Sequence, residues 1–299
     1  NDMSNIDYSG RVASVTGAGT GLGRDYAINL GKRGAKVVVN DLGGSVDGTG
    51  AGDAAASIVV DEIKAAGGEA VANFDSVATV EGGANIVKTA IDTFGKVDIV
   101  IANAGILRDK SFLKTEEADW DAVMAVHLKG TYNVTRPAFA NMKANGYGRI
   151  VMTASGSGLF GNFGQANYAS AKTGMCGLAH VLNIEGAKYN INSNVIVPSA
   201  GTRMTKDVMP KEFFDQLKLE YVTPAVLYLV SEECTDRGVY INAFAGHYSR
   251  SQIMTGPGIN FKEIPTPEQL QENWDKIMSM DDTKYHADVN TMMMHALSN

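Results

Sequence analysis

The sequence has little of what marks secreted, metal-binding or membrane-spanning proteins. Only two of its 299 residues are cysteines, Cys176 and Cys234, and neither belongs to a Cys-x-x-Cys pair or a histidine cluster. This argues against a disulfide framework or a structural zinc site, and no metal site is predicted. No apolar run approaches the roughly 18 residues of a membrane-spanning helix, and no signal peptide opens the chain. These absences predict a soluble intracellular protein.

The chain also lacks any block of basic residues. Its formal net charge is −7, so the electrostatic footprint of a nucleic-acid-binding protein is missing. With 44% apolar residues over 299 positions, the chain can bury a full core. We therefore predict one large domain, residues 1–249, followed by a smaller C-terminal extension, residues 250–299.

What the sequence does contain is an alternation of short apolar strands with helices. Apolar strands that alternate with helices are typical of a parallel sheet covered on both faces. The fold class predicted is therefore α/β, a doubly wound, Rossmann-like parallel sheet of about seven strands with a short C-terminal helical extension. Two helices before the fifth strand are expected to be separated by a break at Lys129-Gly130. The predicted strands are residues 11–16, 36–40, 69–73, 97–101, a run that begins at Ile150, 191–197 and 239–243.

A glycine turn links the first strand to the first helix. Gly17, Gly21 and Gly23 allow a tight turn, close approach of the backbone to a pyrophosphate, and tight packing of the helix. The spacing, Gly-x-x-x-Gly-x-Gly, departs from the commonest dinucleotide fingerprint. Its position after the first strand of this pattern nevertheless indicates a dinucleotide site, since ligands bind at the carboxyl ends of such strands.

Asp41 ends the second strand and predicts a preference for NAD. Its carboxylate can accept hydrogen bonds from ribose hydroxyls and would repel the 2′-phosphate of NADP by about 3 kcal/mol at ~5 Å and an effective dielectric of ~20. The alternative is that Asp41 only caps a turn or a helix. Arg24 could offset the preference by meeting a phosphate, or could point to water. Asp75, just after the third strand, could reach the adenine amino group.

The catalytic candidates are Ser155, Tyr168 and Lys172. Tyr168 and Lys172 are four residues apart on a helix that opens near Asn167, so they share one face. A fixed cation favours the phenolate, which would bring the pKa of Tyr168 towards the range of a useful base. Ser155 can donate a hydrogen bond to a developing alkoxide or a carbonyl. Taken alone, Tyr-x-x-x-Lys would be an ordinary helical pair.

The glycine turn 16–23, Asn103-Ala104-Gly105, Ser155 and the Tyr168/Lys172 pair together resemble the short-chain dehydrogenase/reductase family over residues 9–246. The stretches 39–44, 104–109, 161–168 and 203–205 resemble the family's (3R)-hydroxyacyl-CoA dehydrogenase branch. The resemblance implies NAD-dependent oxidation of an acyl-CoA substrate in fatty-acid β-oxidation, a homodimer, and a hydratase domain that relatives carry fused or separate. It implies a peroxisomal location, although no Ser-Lys-Leu address is seen; the chain is otherwise expected to be cytoplasmic.

Three alternatives to that activity stay open at this point. One is a 3-ketoacyl carrier-protein reductase that uses NADPH, against which Asp41 argues. A second is a hydroxysteroid dehydrogenase. The third, a nucleotide-binding scaffold without turnover, is disfavoured because Ser155, Tyr168 and Lys172 are all present.

The resemblance also assigns roles residue by residue. Tyr168 is the general base, Lys172 holds the nicotinamide ribose and lowers the tyrosine pKa, and Ser155 orients the substrate oxygen. His127 stands where most relatives have an asparagine of a proton relay; it is either a variant of that relay or a packed helix histidine. The implied substrate contacts are Ser155, Phe163, Gln165 and Met204. The implied cofactor contacts are Gly17, Gly19, Thr20, Gly21, Leu22, Gly23, Asp41, Asp75, Ser76, Val77, Asn103, Ala104, Gly105, Tyr168, Lys172, Pro198, Ala200 and Thr202.

Two segments near the C-terminus complete the predictions. Residues 202–219 are expected to form a lid over the substrate, where specificity usually resides. Thr266-Pro267-Glu268-Gln269 predicts a helix start, and Leu270, Trp274 and Ile277 would form its apolar face. A second, methionine-rich helix is expected over 286–297.

Overall fold

The computed structural model describes residues 5–199 and 217–298. The predicted lid therefore falls mostly outside the described residues, as do Ala200, Thr202 and Met204. The chain divides into two compact units, Asn1–Arg250 and Ser251–Asn299.

The first unit is built on a sheet of eight strands in the order β3-β2-β1-β4-β5-β6-β7-β8. All pairings from β3 through β7 are parallel. The strand order reverses between β1 and β4, and ligands of such sheets bind in the crevice at that point. The predicted α/β, doubly wound parallel sheet is confirmed. The strands are β1 Val12–Val15, β2 Lys36–Asn40, β3 Glu69–Asn73, β4 Ile99–Ala102, β5 Gly148–Thr153, β6 Ile191–Pro198, β7 Tyr240–Phe244 and β8 His247–Ser251.

The eighth strand, β8, was not predicted. It follows β7 through Ala245 and Gly246, both of which have positive φ. Two such residues make a tight hairpin turn, so β8 runs antiparallel to β7. Its sequence, His-Tyr-Ser-Arg-Ser, carries no apolar run. The strand is added at the edge of the sheet by the turn and gives no hydrophobic signal of its own.

Helices cover both faces of the sheet. Along β2, Val37 and Val39 belong to one apolar cluster and Val38 to the other, because successive strand side chains point to opposite faces. Among the described residues, the α-helices of this unit are α1 Gly21–Lys32, α2 Ala54–Ala65, α3 Val80–Phe94, α4 Glu117–Met124, α5 Gly130–Asn145, α6 Gly156–Phe160, α7 Ala166–Gly186 and α8 Thr223–Leu229. Helices α1, α2 and α8 pack in the first cluster, and α3, α5 and α7 in the second.

The predicted break at Lys129-Gly130 is wrong. Helix α4 continues into α5 through a π-helical turn, Ala125–Lys129, and Gly130 itself has helical φ and ψ of −62° and −41°. The glycine serves packing, since a Cβ on Gly130 would lie 2.8 Å from a methyl carbon of Val77. A π turn inserts one extra residue into a helix and often marks a functional site.

The second unit contains three short helices: α9 Pro267–Glu272, α10 Trp274–Met278 and α11 Val289–Ser298. The predicted start at Thr266 is confirmed, because Thr266 and Gln269 form a complete capping box. The single helix expected after it is interrupted at Asn273, whose backbone is not helical. The last helix begins at Val289, three residues later than predicted.

Two further findings concern membrane-spanning helices and the cysteines. Within residues 5–199 and 217–298, no helix combines the length and apolar character that crossing a membrane requires. Cys176 and Cys234 are free thiols, both buried, and burial raises the pKa of each.

Candidate active site

Ser155, Tyr168 and Lys172 meet at the carboxyl ends of the central strands. Ser155 follows β5 and caps α6, where its Oγ accepts a hydrogen bond of 3.1 Å from the N–H of Ser157. Tyr168 and Lys172 lie in the first two turns of α7. A strand end and a helix start therefore bring the hydroxyl, the phenol and the amine into one place.

Tyr168 contacts all the other catalytic candidates. Ser155 acts on its hydroxyl as a hydrogen-bonding group and lowers the pKa of Tyr168. Lys172 Nζ lies 5.5 Å from the centroid of the phenol ring, and the ring of His127 meets it edge-on with centroids 5.1 Å apart. The structure thus groups the four residues for which the sequence predicted proton-transfer chemistry.

Taken together, the protein's own groups raise the pKa of Tyr168. Burial of the phenol raises it, the hydrogen bond from Ser155 lowers it, and the charge of Asp109 raises it, with a net increase. Lys172 is 3% exposed, and burial lowers its pKa to about 7 while its Nζ donates to the Thr153 carbonyl at 2.8 Å. The lowering of the tyrosine pKa that was expected from Lys172 is absent from this balance, because desolvation disfavours the charged forms of both the phenol and the amine.

His127 lies in the π turn and is 1% exposed. Its Nε2 is 2.7 Å from the carbonyl oxygen and 3.0 Å from the amide nitrogen of Ile106, so it can donate to the first or accept from the second. Its Nδ1 has no hydrogen-bond partner among the described residues. Burial, followed by the charge of Lys172, holds the pKa of His127 well below its usual range, so the ring is neutral. Gly105 makes room for it, since a Cβ there would lie 2.4 Å from the ring.

A cleft at the switch between β1 and β4 contains most of the predicted cofactor contacts. The predicted residues that line it are Gly17, Thr20, Gly21, Leu22, Asp41, Asp75, Ser76, Val77, Asn103, Ala104 and Gly105. Five others do not line the cleft: Gly19, Gly23, Tyr168, Lys172 and Pro198. Gly23 instead closes the turn, because a Cβ on it would lie 2.3 Å from the Gly17 carbonyl oxygen.

Asp41 is fixed by two backbone amides. Its Oδ2 accepts a hydrogen bond of 2.8 Å from Gly19, and its Oδ1 one of 2.7 Å from Gly43. The carboxylate is thereby held at the end of β2, on the wall of the cleft. Arg24, which could have met a phosphate, forms an ion pair with Glu62 on α2.

Asp75 and Asn103 hold other walls of the cleft. The carboxylate of Asp75 accepts hydrogen bonds from Asn73 at 2.8 Å and Asn85 at 3.3 Å. The side-chain amide of Asn103 donates to the carbonyls of Thr16 and Gly17, each at 3.2 Å. Asn103 thus ties the end of β4 to the glycine turn.

Sequence reasoning missed one wall of the cleft, the long loop 42–52. The loop is joined to the segment after β4, where Leu107 N–H donates to the Val46 carbonyl and Arg108 Nε to the Asp47 carbonyl, each at 2.9 Å. The density of glycine in this loop was visible in the sequence, but its pairing with a distant segment was not. The unpredicted residues that line the cleft are Asn40, Leu42, Gly44, Ser45, Gly48, Ile106 and Val126.

The two described residues predicted to touch only substrate differ sharply in environment. Phe163 is 90% exposed. Gln165 is buried, its Oε1 accepts from Asn162 at 2.9 Å, and its Nε2 donates to Asp109 at 3.0 Å. The amide of Gln165 is thus engaged by protein groups at both ends.

Asn167, to which the sequence gave no role, anchors the start of α7. It is 1% exposed, and its Nδ2 donates to the carbonyls of Arg108 at 3.2 Å and Asp119 at 3.3 Å. Its Oδ1 accepts from the N–H of Tyr168 at 2.8 Å. One buried amide therefore fixes the backbone of Tyr168 against two other segments.

The chain is similar to several known proteins. Residues 11–212 match the family model described as short chain dehydrogenase. Peroxisomal multifunctional enzyme type 2 of Drosophila melanogaster is 50% identical over 284 residues, which are 94% of this chain and 47% of that protein. The chain thus spans about half the length of this relative. A short-chain type dehydrogenase/reductase of Mycobacterium tuberculosis is 51% identical over 274 residues, covering 92% of this chain and 96% of the relative.

Solved structures give the same picture. Full-length peroxisomal multifunctional enzyme type 2 from Drosophila melanogaster superposes with a TM-score of 0.82 at 41% identity, covering 98% of this chain and 50% of that one. A 7α-hydroxysteroid dehydrogenase in complex with NADH and 7-oxo-glycochenodeoxycholic acid superposes with a TM-score of 0.73 at 28% identity. The superposition covers 81% of this chain and 96% of that one.

Proposed function

Because the chain belongs to the short-chain dehydrogenase family, we propose that it oxidises (3R)-3-hydroxyacyl-CoA to 3-ketoacyl-CoA with NAD, as a step of fatty-acid β-oxidation. The observation that carries the proposal is the grouping around the phenol of Tyr168, where Lys172 Nζ lies 5.5 Å from the ring centroid, His127 packs edge-on and Ser155 lowers the pKa of the hydroxyl. The names of the relatives support the substrate, since they include peroxisomal multifunctional enzymes and a hydroxyacyl-CoA dehydrogenase of Mycobacterium tuberculosis.

The residues of the cleft fit a dinucleotide. Thr20, Gly21 and Leu22 form its floor at the start of α1, and the Thr20 side chain makes no capping hydrogen bond to that helix. The unpaired amides at a helix start favour a pyrophosphate. A Cβ on Gly17 would lie 2.8 Å from the Cα of Ala104, so the turn leaves no space for a side chain there. The nicotinamide cofactor supplies the hydride acceptor.

The protein's own residues carry the proton chemistry. Ser155 donates a hydrogen bond to the substrate oxygen, and Tyr168 takes the hydroxyl proton as the hydride leaves. Lys172, whose Nζ lies 5.5 Å from the centroid of the phenol ring, would hold the ribose of the cofactor by donating to one of its hydroxyls. His127 is neutral and packed edge-on against that ring, and its Nδ1 has no hydrogen-bond partner among the described residues, which makes it the candidate for the next member of the relay. The raised pKa of Tyr168 means that oxidation speeds up as the pH rises towards that pKa.

Asp41 favours NAD over NADP. Its carboxylate is fixed at the cleft by Gly19 and Gly43, so it cannot swing away from a 2′-phosphate. Arg24 offers no compensation while it pairs with Glu62. The repulsion of about 3 kcal/mol corresponds to a discrimination on the order of 100-fold.

The test is NADH formation at 340 nm with both enantiomers of a medium-chain 3-hydroxyacyl-CoA, with NAD and NADP in turn. We expect turnover of the R form with NAD and its loss in Tyr168→Phe, which removes only the hydroxyl. Asp41→Ala should lower the ratio of kcat/KM with NAD to kcat/KM with NADP. If neither enantiomer reacts while NAD still binds, the acyl-CoA assignment is wrong.

A hydroxysteroid dehydrogenase is the second candidate. The similarity to the 7α-hydroxysteroid dehydrogenase complex favours it. The same assay with a hydroxylated bile acid in place of the thioester separates the two: faster turnover of the bile acid would support this candidate.

We also propose that the chain is a peroxisomal homodimer whose residues 1–249 carry the activity. The names of the relatives support the location, and the catalytic candidates all lie in the first compact unit. Sedimentation equilibrium would give the mass of the assembly, and organelle fractionation the location.

A further inference from the structure

The loop of residues 42–52, between β2 and α2, is bonded to the segment that follows β4. We call this loop the strap. Leu107 N–H donates to the Val46 carbonyl and Arg108 Nε to the Asp47 carbonyl, each at 2.9 Å. These bonds link the carboxyl ends of β2 and β4, two strands that are not neighbours in the sheet.

The strap crosses the carboxyl end of β1, because β1 lies between β2 and β4 in the sheet. The glycine turn begins at that end, and the cleft there is lined both by Leu42, Gly44 and Gly48 of the strap and by Ile106 beyond β4. A Cβ on Gly48 would lie 3.0 Å from Cδ1 of Ile106, so the strap and the segment are in contact where they meet. Backbone and hydrogen bonds thus close a ring around the cleft.

A dinucleotide that serves the proposed reaction would cross the same strand ends as the strap. Its ribose would meet Asp41 at the end of β2, and its hydride acceptor would lie near Ser155, which follows β5. The order of these strands in the sheet is β2-β1-β4-β5, so the cofactor would span the ends of β1 and β4. The strap therefore lies across the way by which the cofactor leaves.

Internal hydrogen bonds shape the strap into a unit. At its base, Gly52 N–H donates to the Leu42 carbonyl at 2.9 Å. At its tip, the Asp47 carboxylate accepts from the Ser45 hydroxyl at 2.7 Å and from the amide and hydroxyl of Thr49 at 3.0 and 2.7 Å. Compact surface loops with close ends are frequently functional, and lids of this kind open and close over a bound molecule.

Arg108 holds the strap from outside the cleft. Neither Arg108 nor Asp47 is among the described residues that line the cleft. Arg108 Nη1 donates to the Ala118 carbonyl at 3.4 Å and lies 4.0 Å from the Asp119 carboxylate, so the guanidinium joins α4 to the strap. The bond between Asn167 and the Arg108 carbonyl does not involve this side chain. A substitution of the side chain therefore loosens the strap and leaves every residue that lines the cleft unchanged.

We propose that Arg108 is a positioning residue that holds the strap across the cleft, and that detachment of the strap limits the rate at which the reduced cofactor is released. This inference rests on the dinucleotide of the proposed function. Release of product limits kcat in many enzymes. Loss of one hydrogen bond that must break during release corresponds to roughly three- to tenfold in the rate.

The experiment is stopped-flow release of NADH from the complete chain, followed by the change in NADH fluorescence on mixing with excess NAD. In Arg108→Met, which keeps an unbranched side chain but has no donor, the dissociation rate constant should rise about three- to tenfold without a fall in the association rate constant. Asp47→Ala, which removes the bonds that shape the tip, should also speed release. Arg237→Met is the control. Arg237 donates to the Ala187 carbonyl at 3.5 Å and does not line the cleft, so both rate constants should stay unchanged.

The outcomes separate the strap from the proposed reaction, because the measurement involves no substrate. An unchanged dissociation rate constant in either strap variant would refute the inference. So would faster release that comes only with slower association, since that combination marks a damaged site. If release speeds up as expected but no hydroxyacyl thioester is oxidised, the strap stands and the proposed substrate is wrong. If NADH does not bind to the wild type, the inference and the proposed function fall together. Thermal melts show whether the variants fold.

Discussion

At the scale of single residues, Tyr168 lies between groups that act on its acidity in opposite directions. Burial and the charge of Asp109 raise its pKa, and the hydrogen bond from Ser155 lowers it. The charge of Asp109 therefore changes the pKa of Tyr168 without direct contact between the two side chains. Its carboxylate is held by Gln165, three residues before Tyr168.

We expect Asp109→Asn to shift the pH profile of oxidation to lower pH. The substitution removes the negative charge but keeps an oxygen that accepts from Gln165. Because that charge raises the pKa of Tyr168, its loss lets the phenolate form at lower pH, and the acid limb of kcat/KM moves down. Asp121→Asn, an equal charge change on the exposed side of α4, is the control. An acid limb that stays in place in Asp109→Asn would contradict this role.

Asn167 acts on Tyr168 through the backbone. Asn167→Ala should lower kcat by roughly 10- to 100-fold and change the KM for NAD by less than about threefold, because small misplacements of a reacting group are costly. Asn183→Ala is a matched control on the same helix. The Asn183 amide makes three similar hydrogen bonds, to Ala179 and Ser193, far along α7. Equal losses of kcat in both variants would show that Asn167 only stabilises the helix.

Lys172 should make the free energy of unfolding depend on pH between about 7 and 10.5. Burial lowers its pKa from 10.5 to about 7, so between these values the unfolded chain holds a proton that the folded chain lacks. Stability therefore rises with pH across that window, by up to ~1.4 kcal/mol per pH unit. Urea unfolding at pH 7, 8 and 9 should show this rise, and Lys172→Met should remove it. If the free energy of unfolding changed with pH in the same way in the wild type and in Lys172→Met, Lys172 would not be a buried neutral amine.

At the scale of elements, the π turn between α4 and α5 connects helix packing to the cofactor cleft. Gly130 packs on Val77, and Val77 lines the cleft. The turn also carries His127. One local irregularity therefore positions both a relay candidate and a wall of the cofactor site.

Gly130→Ala should destabilise the protein by about 1–3 kcal/mol and raise the KM for NAD, because the added methyl displaces Val77. Gly177→Ala in α7 is the matched comparison. Nothing lies within 4 Å of the Cβ it would add, so the better helix propensity of alanine should stabilise by up to ~1 kcal/mol. Urea unfolding and NAD saturation curves measure the two effects. Equal changes in the free energy of unfolding for Gly130→Ala and Gly177→Ala would show that the contact between residue 130 and Val77 does not affect stability.

The sequence predicted the elements whose signal is local. Seven strands, the glycine turn and the Thr266 cap could be read from apolar runs and residue types. The prediction failed where a residue's meaning depended on a distant contact. Gly130 looked like a helix breaker because Val77 is invisible from its neighbours in the sequence. Strand β8 was missed because its edge position needs no apolar face.

The same limit applies to the candidate site. Ser155, Tyr168 and Lys172 were predicted because their spacing fixes their geometry. Gln165 was assigned to the substrate, but the structure shows its amide engaged by Asn162 and Asp109. The pKa of Tyr168 could not be predicted either, since burial, which depends on the whole fold, has the largest effect on it.

At the scale of the whole molecule, the two edges of the sheet have different tasks. The catalytic residues lie at the carboxyl ends of the strands. At the amino ends, Asp98 is 1% exposed, pairs with Lys96 at 3.0 Å and Arg11 at 3.4 Å, and accepts from the N–H of Val12 at 2.9 Å. This cluster joins β1 to β4 away from the chemistry.

Asp98→Ala should therefore lower stability and spare catalysis. The Val12 amide loses its acceptor and two partly exposed cations lose their partner, which costs about 1–3 kcal/mol. Guanidinium unfolding should show the loss, while kcat and KM per folded molecule stay within about twofold of the wild type. A change in kcat without a change in stability would contradict this division of the sheet.

The burial of both cysteines gives the molecule a practical property. Cys176 and Cys234 are inside the fold, and burial raises the pKa of each thiol. A thiol reagent should therefore react with the native protein only as fast as the structure opens. The rate at which the colour of the reagent develops then measures the rate of unfolding. A cysteine placed at an exposed position such as Phe163 would be the one thiol that reacts at once, so a fluorophore could be attached at that position alone.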